Sequence, residues 1–181
     1  YDTGPANYLI DNWCKKKFQK DFDRNGNLAK KGKIDYHLLN RMTSDSFFKK
    51  SHPKSTGFER FNIEWLEKQV KLTGYKITNE DVLTTLTYLT ITTVAQELNK
   101  DNSVEKKLFI YGGGVNNQTI VDGVLSSIKH RRVKKMNFGI SEKNLEATAF
   151  AWLSYKRIKG QKISSSMITG KKLPSLLGNI Y

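Results

Sequence analysis

A chain of 181 residues with 38% hydrophobic content can bury one ordinary core, so a single globular domain is expected and two independent ones would be crowded. The net charge of +14 points toward anionic partners, yet the cations fall in short scattered groups: Lys15-Lys16-Lys17, Lys30-Lys31, Lys49-Lys50, Lys106-Lys107, Arg131-Arg132 with Lys134-Lys135, and Lys171-Lys172. Nearly all are lysine, which lacks the planar fork that arginine uses on bases and phosphates, so the pattern reads as a solvated surface suited to a small anionic ligand, with no nucleic acid as partner.

The longest apolar runs, such as Leu108-Phe109-Ile110-Tyr111, fall far short of the roughly 20 residues of a membrane helix, so no membrane partner is expected. The chain opens on Tyr1 without a charged-then-apolar leader, and its N-terminus reads as a cut. Cys14 has no partner for an internal disulfide, and His37, His52 and His130 are too widely separated to form a recognised ligand pair. A reducing, cytoplasmic setting without structural zinc follows, with Cys14 as a small buried side chain beside Trp13.

Helical spacing of Tyr8, Leu9, Trp13 and Phe18 predicts a helix from Asn7 to about Lys20, and Leu28, Ile34, Leu38, Leu39 and Met42 predict a second over residues 28–42. The Asp21–Gly26 segment between them is turn chemistry; its acidic spacing hints at a calcium loop but lacks the closing bidentate Glu. A loop from Ser51 to Gly57 precedes a third helix over Arg60–Leu72, facing a core through Phe61, Trp65, Leu66 and Val70. Thr78 followed by Glu80 and Asp81 marks the start of a long helix through Leu98, whose many threonines lower its intrinsic propensity and leave it to tertiary packing.

The second half changes character. Lys107–Tyr111 is a short apolar strand that stops at Gly112-Gly113-Gly114, after which Asn116 or Asn117 caps a helix to about Ile128. A strand over Val133–Phe138 and a helix over Ser141–Lys159 follow, the latter with Leu145, Ala149, Trp152, Leu153 and Ile158 on its apolar side. The order strand, glycine turn, helix, strand, helix is that of an α/β layer.

Three features could carry chemistry. Side-chain-free backbone at Gly112-Gly113-Gly114, ahead of a helix N-terminus, admits close approach of a ligand, although the run matches neither a dinucleotide fingerprint nor a P-loop, and a tight turn explains it equally well. Asp2 in Asp2-Thr3-Gly4-Pro5 can aim a carboxylate into a cleft, or simply serve a turn. Glu146 is an acid on a helix, where solvation is the ordinary role.

Taken in order, Asp2-Thr3-Gly4-Pro5-Ala6-Asn7 with Asp11, Pro53-Lys54-Ser55-Thr56-Gly57 before Glu59 and Phe61, Gly112-Gly113-Gly114 with Asn116 or Asn117, Glu146-Ala147 with Phe150-Ala151-Trp152-Leu153, and Thr169-Gly170 with Leu177-Gly178 resemble the C-terminal half of the anhydro-N-acetylmuramic acid kinase family. The resemblance spans essentially the whole chain. It implies an α/β fold, the ribonuclease-H-like C-terminal lobe of the actin-like ATPase fold with added helices. It also implies a cytoplasmic enzyme of cell-wall recycling that uses ATP and Mg²⁺ to open and phosphorylate anhydro-N-acetylmuramic acid, and a homodimer.

By that resemblance Asp2 is the catalytic base, Glu146 and Asn7 contact the sugar, with Asn7 also ordering the Asp2 loop, and Gly112, Gly113, Gly114 and Asn116 meet the nucleotide. No side chain is assigned to the metal, and Lys54-Ser55-Thr56 reads as a turn leading into a helix. Ala6 departs from the family's usual Gly, and Phe58 stands where Arg is common. The family's N-terminal lobe, with its glycine-rich phosphate hairpin, is not in this sequence, so the chain alone is expected to be inactive. The competing readings are an actin-fold kinase or phosphatase of another substrate and a noncatalytic basic anion-binding module.

Overall fold

Helix α5 (Asn79–Asn99) organises the molecule, and α6 (Gln118–Ser127), α2 (Tyr36–Thr43) and α1 (Tyr8–Phe18) pack around it. The computed structural model describes residues 1–100, 106–129, 133–136, 139 and 144–179. The N-cap of α5 is as expected, Thr78 accepting from the Asp81 amide. Its threonines, however, face inward: Thr85, Thr87, Thr90 and Thr93 are all buried beside Leu83, Leu86 and Leu89. Each hydroxyl is satisfied by a carbonyl three or four residues back, as in Thr85 to Asp81 and Thr87 to Leu83, which removes the cost of burying it. A helix buried on most of its circumference needs no polar face, and α5 has little of one.

The predicted helix over residues 28–42 is broken. A 3₁₀ turn at Ala29–Lys31 ends at Gly32, where a Cβ would lie 2.4 Å from the Glu80 backbone, and α2 starts afresh with Asp35 accepting from the Leu38 amide. Gly32 is therefore where the chain passes close against α5. Two further short helices, α3 (Ser46–Lys49) and α4 (Ile63–Lys71), complete the first half, the latter capped by Asn62 rather than starting at Arg60. The calcium-loop hint is settled by Asp23, whose buried carboxylate is taken up by the amides of Leu28 and Ala29.

The expected α/β layer reduces to one β-α-β unit among the described residues. Strand β1 (Lys106–Phe109) pairs in parallel with β2 (Val133–Met136), Lys106 opposite Val133, and α6 connects them. Its cap is Asn117, which accepts from the Ile120 amide, and Gly123 lets α6 close on α5, since a Cβ there would meet Ile91. His130, Arg131, Arg132, Phe138 and the predicted helix start at Ser141 lie outside the described residues.

Helix α7 (Leu145–Ile158) corrects another expectation: none of its residues is buried, and Trp152 and Ile158, predicted to face a core, are 50% and 73% exposed. With residues 177–179 it borders a cavity of about 530 Å³. The short α8 (Ser166–Thr169) ends at Gly170, which returns the tail to Pro53. No described helix is long and apolar enough to cross a membrane.

Two predictions follow from the core. Burial, with Asp23 and Asp11 nearby, pushes the Cys14 thiol up to about 12, so a thiol reagent at neutral pH is expected to spare Cys14 in the native chain and label it only in denaturant; mass spectrometry after labelling checks this. Asp45 caps α3 and holds Arg60; burial raises its carboxyl, but the Phe47 amide and the Arg60 guanidinium outweigh that and leave it below its ordinary value. The stability it contributes is full above the unfolded carboxylate value near 4 and is lost as pH falls through the lower folded value. Asp45→Asn is expected to cost roughly 1–2 kcal/mol at pH 7, about 2–8 °C in Tm, with the gap to wild type narrowing toward pH 3 in thermal melts.

Candidate functional site

Residues 1–7 run as a loop along α5, held there by sequence-distant bonds. Thr90 Oγ1 donates to the Ala6 carbonyl at 2.8 Å, and a Cβ on Gly4 would meet Phe48 at 3.1 Å and Thr93 at 3.4 Å, so this stretch lies tight against the helix. Ala6 takes φ 47°, a left-handed conformation that glycine adopts without strain and alanine at a cost of roughly 1–2 kcal/mol. The loop holds alanine in this conformation because its neighbours over-determine its path.

Asp2 is half-buried and clamped to the strip 54–56. Its amide donates to the Lys54 carbonyl at 3.0 Å; its Oδ2 accepts from Ser55 Oγ at 3.0 Å and from the Thr56 amide at 2.8 Å. Both side-chain bonds fall on one oxygen. Among the described residues none falls on Oδ1, which is left to accept a proton in a fixed direction.

Asn7, just before α1, brings two of the predicted features together. Its Nδ2 donates to Asp11 Oδ2 at 3.2 Å, and its amide lies against the glycine turn, where a Cβ on Gly114 would come 2.8 Å from Asn7 Oδ1. The turn itself opens outward: Gly112 has φ 83°, and a Cβ there would meet nothing within 4 Å. Gly113–Asn116 form a 3₁₀ turn, with Asn116 exposed and Asn117 buried beneath it. Between this turn and the segment 21–23 lies a cleft of about 210 Å³, lined by Asn7, Asp11, Phe22, Gly113, Asn116 and Asn117 among others. Within it burial pushes the Asp11 carboxyl up, the Asn7 amide opposes that, and the negative charge of Asp23 adds to it.

Glu146 stands exposed in the first turn of α7, and no described contact joins it to Asp2, Asn7 or the glycine turn. Among the described residues no group of three or more His, Cys, Asp or Glu side chains is arranged to hold a metal ion. The sequence reading missed Ser55 and Thr56 as partners of the Asp2 carboxylate: the separation of more than fifty residues carries no local signal, and only the adjacency of hydroxyls in Lys54-Ser55-Thr56-Gly57 hinted at it.

A sequence model of the family described as anhydro-N-acetylmuramic acid kinase matches residues 1–181. Curated relatives bearing that name include those of Sulfurovum sp. (strain NBC37-1), 35% identical, Pasteurella multocida (strain Pm70), 36%, and Xylella fastidiosa (strain Temecula1 / ATCC 700964), 36%; each alignment covers 100% of this chain and 49%, 48% and 47% of the relative. The chain therefore spans about half the length of the curated relatives it matches. With this match over the whole of its length, the chain belongs to the anhydro-N-acetylmuramic acid kinase family.

Proposed function

We propose that this chain is the ribonuclease-H-like C-terminal lobe of an actin-fold kinase. In the full-length protein that lobe would act with a second one on 1,6-anhydro-N-acetylmuramic acid and ATP. The observation that carries the reading is the Asp2 carboxylate, held on one oxygen by Ser55 and Thr56 and, among the described residues, free on the other. Water attacks the anomeric carbon and gives its proton to Asp2 Oδ1; the bond from that carbon to O6 breaks, and O6 forms its new bond to the γ-phosphorus as ADP leaves. The product is N-acetylmuramic acid 6-phosphate, and the setting is cytoplasmic recycling of cell-wall sugar.

The glycine turn fits a nucleotide, because the space above Gly112 is open and the adjoining cleft offers backbone, Asn116 and the half-buried Asp11 to a nucleoside. Mg²⁺ enters only as the counter-charge of the phosphates, since such ions are commonly held by one or two carboxylates and the phosphates themselves. Asn7 links the two halves of the reading: it touches the turn and stands in the Asp2 loop. Glu146 is retained as a sugar contact on the family motif alone.

In the full-length protein carrying this chain, Asp2→Asn is expected to lower kcat by about 10²–10⁴ while nucleotide affinity, measured by calorimetry, stays within a few-fold. Unchanged turnover removes Asp2 from the chemistry. Gly114→Val places carbon atoms on the Asn7 amide and is expected to weaken nucleotide binding at least tenfold; unaltered affinity removes the turn from the nucleotide site.

A further inference from the structure

Lys54 is an unusual residue to find inside a protein. Its side chain is 4% exposed and its ammonium lies 3.3 Å from Oε1 of Glu97, itself 10% exposed, and 4.9 Å above the Phe47 ring. Charges so deeply placed are rare, and a pair of well-packed apolar residues would serve stability as well or better, so stability alone does not account for this one.

Its place in the chain does. Lys54 immediately precedes Ser55 and Thr56, the two donors to the Asp2 carboxylate, and its own carbonyl receives the Asp2 amide. Glu97 reaches the other side of the same clamp, because Tyr1, the residue before Asp2, donates its hydroxyl to Glu97 Oε2 at 3.2 Å. One carboxylate on α5 thus gathers both backbone strips that meet at Asp2. Burial raises the Glu97 carboxyl, but hydrogen bonds from Lys100 and Lys54 outweigh that and leave it below its ordinary value, so it is charged at neutral pH. Lys100 meets Glu97 from the half-exposed side.

We propose that the buried Lys54–Glu97 ion pair is a positioning device that holds Ser55 and Thr56 against Asp2 Oδ2 and so directs Oδ1. Its catalytic consequence rests on the reading of Asp2 as the base; its structural content does not. A displacement of about 1 Å in such a group can cost 10²-fold in rate, whereas substrate binding, made elsewhere, need not change.

The Thr56 amide resonance provides a readout independent of turnover, since that amide is bonded to the Asp2 carboxylate and should move when Asp2→Asn replaces the carboxylate by an amide. In ¹⁵N-resolved spectra of the chain at one fixed pH, the displacement of the Thr56 resonance caused by Asp2→Asn reports that contact. The double variant Lys54→Met/Glu97→Leu removes both buried charges at once. It is expected to keep a Tm near that of wild type while the Asp2→Asn displacement at Thr56, measured in its background, shrinks by more than half. In the full-length protein its kcat is expected to fall at least tenfold with KM for sugar and nucleotide within about twofold, and Lys54→Arg to recover most of the loss.

Should the double variant not fold, Glu97→Gln, which keeps the shape and weakens the attraction, takes its place: a reduced Asp2→Asn displacement at Thr56 supports the proposal and an undiminished one overturns it. A displacement of wild-type size in the folded double variant overturns the proposal whatever Asp2 does in catalysis. Loss of that displacement together with full turnover in Asp2→Asn leaves the clamp standing and removes only the base.

Discussion

The bond from Thr90 in the middle of α5 to the carbonyl of Ala6 stands for the constraint on which this molecule depends: a buried helix whose polar side chains hold distant loops in place. Along the same helix Thr84 donates to the Ala29 carbonyl, Thr85 accepts the Asp35 amide, and Glu97 collects Tyr1 and Lys54. A leucine at any of these positions would pack as well and hold nothing. The threonines lower helix propensity, a local cost that the tertiary structure accepts because each buried hydroxyl is satisfied within the helix, and those of Thr85 and Thr90 are used again outside it.

Seen from α5, the parts of the candidate site are one arrangement. The Asp2 loop lies on the helix through Ala6 and Gly4, the strip 54–56 is tied to it through Glu97, and α6 is brought in through Gly123 against Ile91, which sets the glycine turn beside Asn7. Three segments separated by about fifty residues each in sequence converge because each has its own anchor on the same rod. Helix α7 has no buried residue, and no described contact joins its Glu146 to this convergence.

Much of this was legible beforehand where the signal is local. Thr78, Asn117 and the glycine run announce themselves by capping and turn chemistry that depend on a few neighbouring residues, and the structure places them accordingly. The break at Gly32 was not legible, because the apolar positions 28, 34, 38 and 39 keep a helical rhythm across it; what breaks the helix is the close passage of Gly32 against Glu80, a contact forty-eight residues away. The apolar side assigned to α7 failed for the opposite reason: periodicity reports that a face could be buried, and nothing in the described residues buries it. Lys54 shows the same limit, since a lysine in a loop reads as solvated until its partner on a remote helix is known.

The net charge of +14 takes its meaning from this architecture. The Lys15–Lys17 run lies on the exposed end of α1, with Lys16 bridging Glu67 at the surface, whereas Lys54, in the strip that clamps Asp2, is buried and paired with a carboxylate. Abundant surface lysine can raise the local concentration of an anion such as a nucleotide, but it fixes no geometry. Direction at Asp2 comes instead from two neutral donors, Ser55 and the Thr56 amide. Neutral donors orient a carboxylate without bringing a full positive charge up to it, and with both on Oδ2 no described residue occupies Oδ1. The role proposed for Asp2 needs that combination, a fixed direction with an unoccupied lone pair, more than it needs a cation beside the carboxylate.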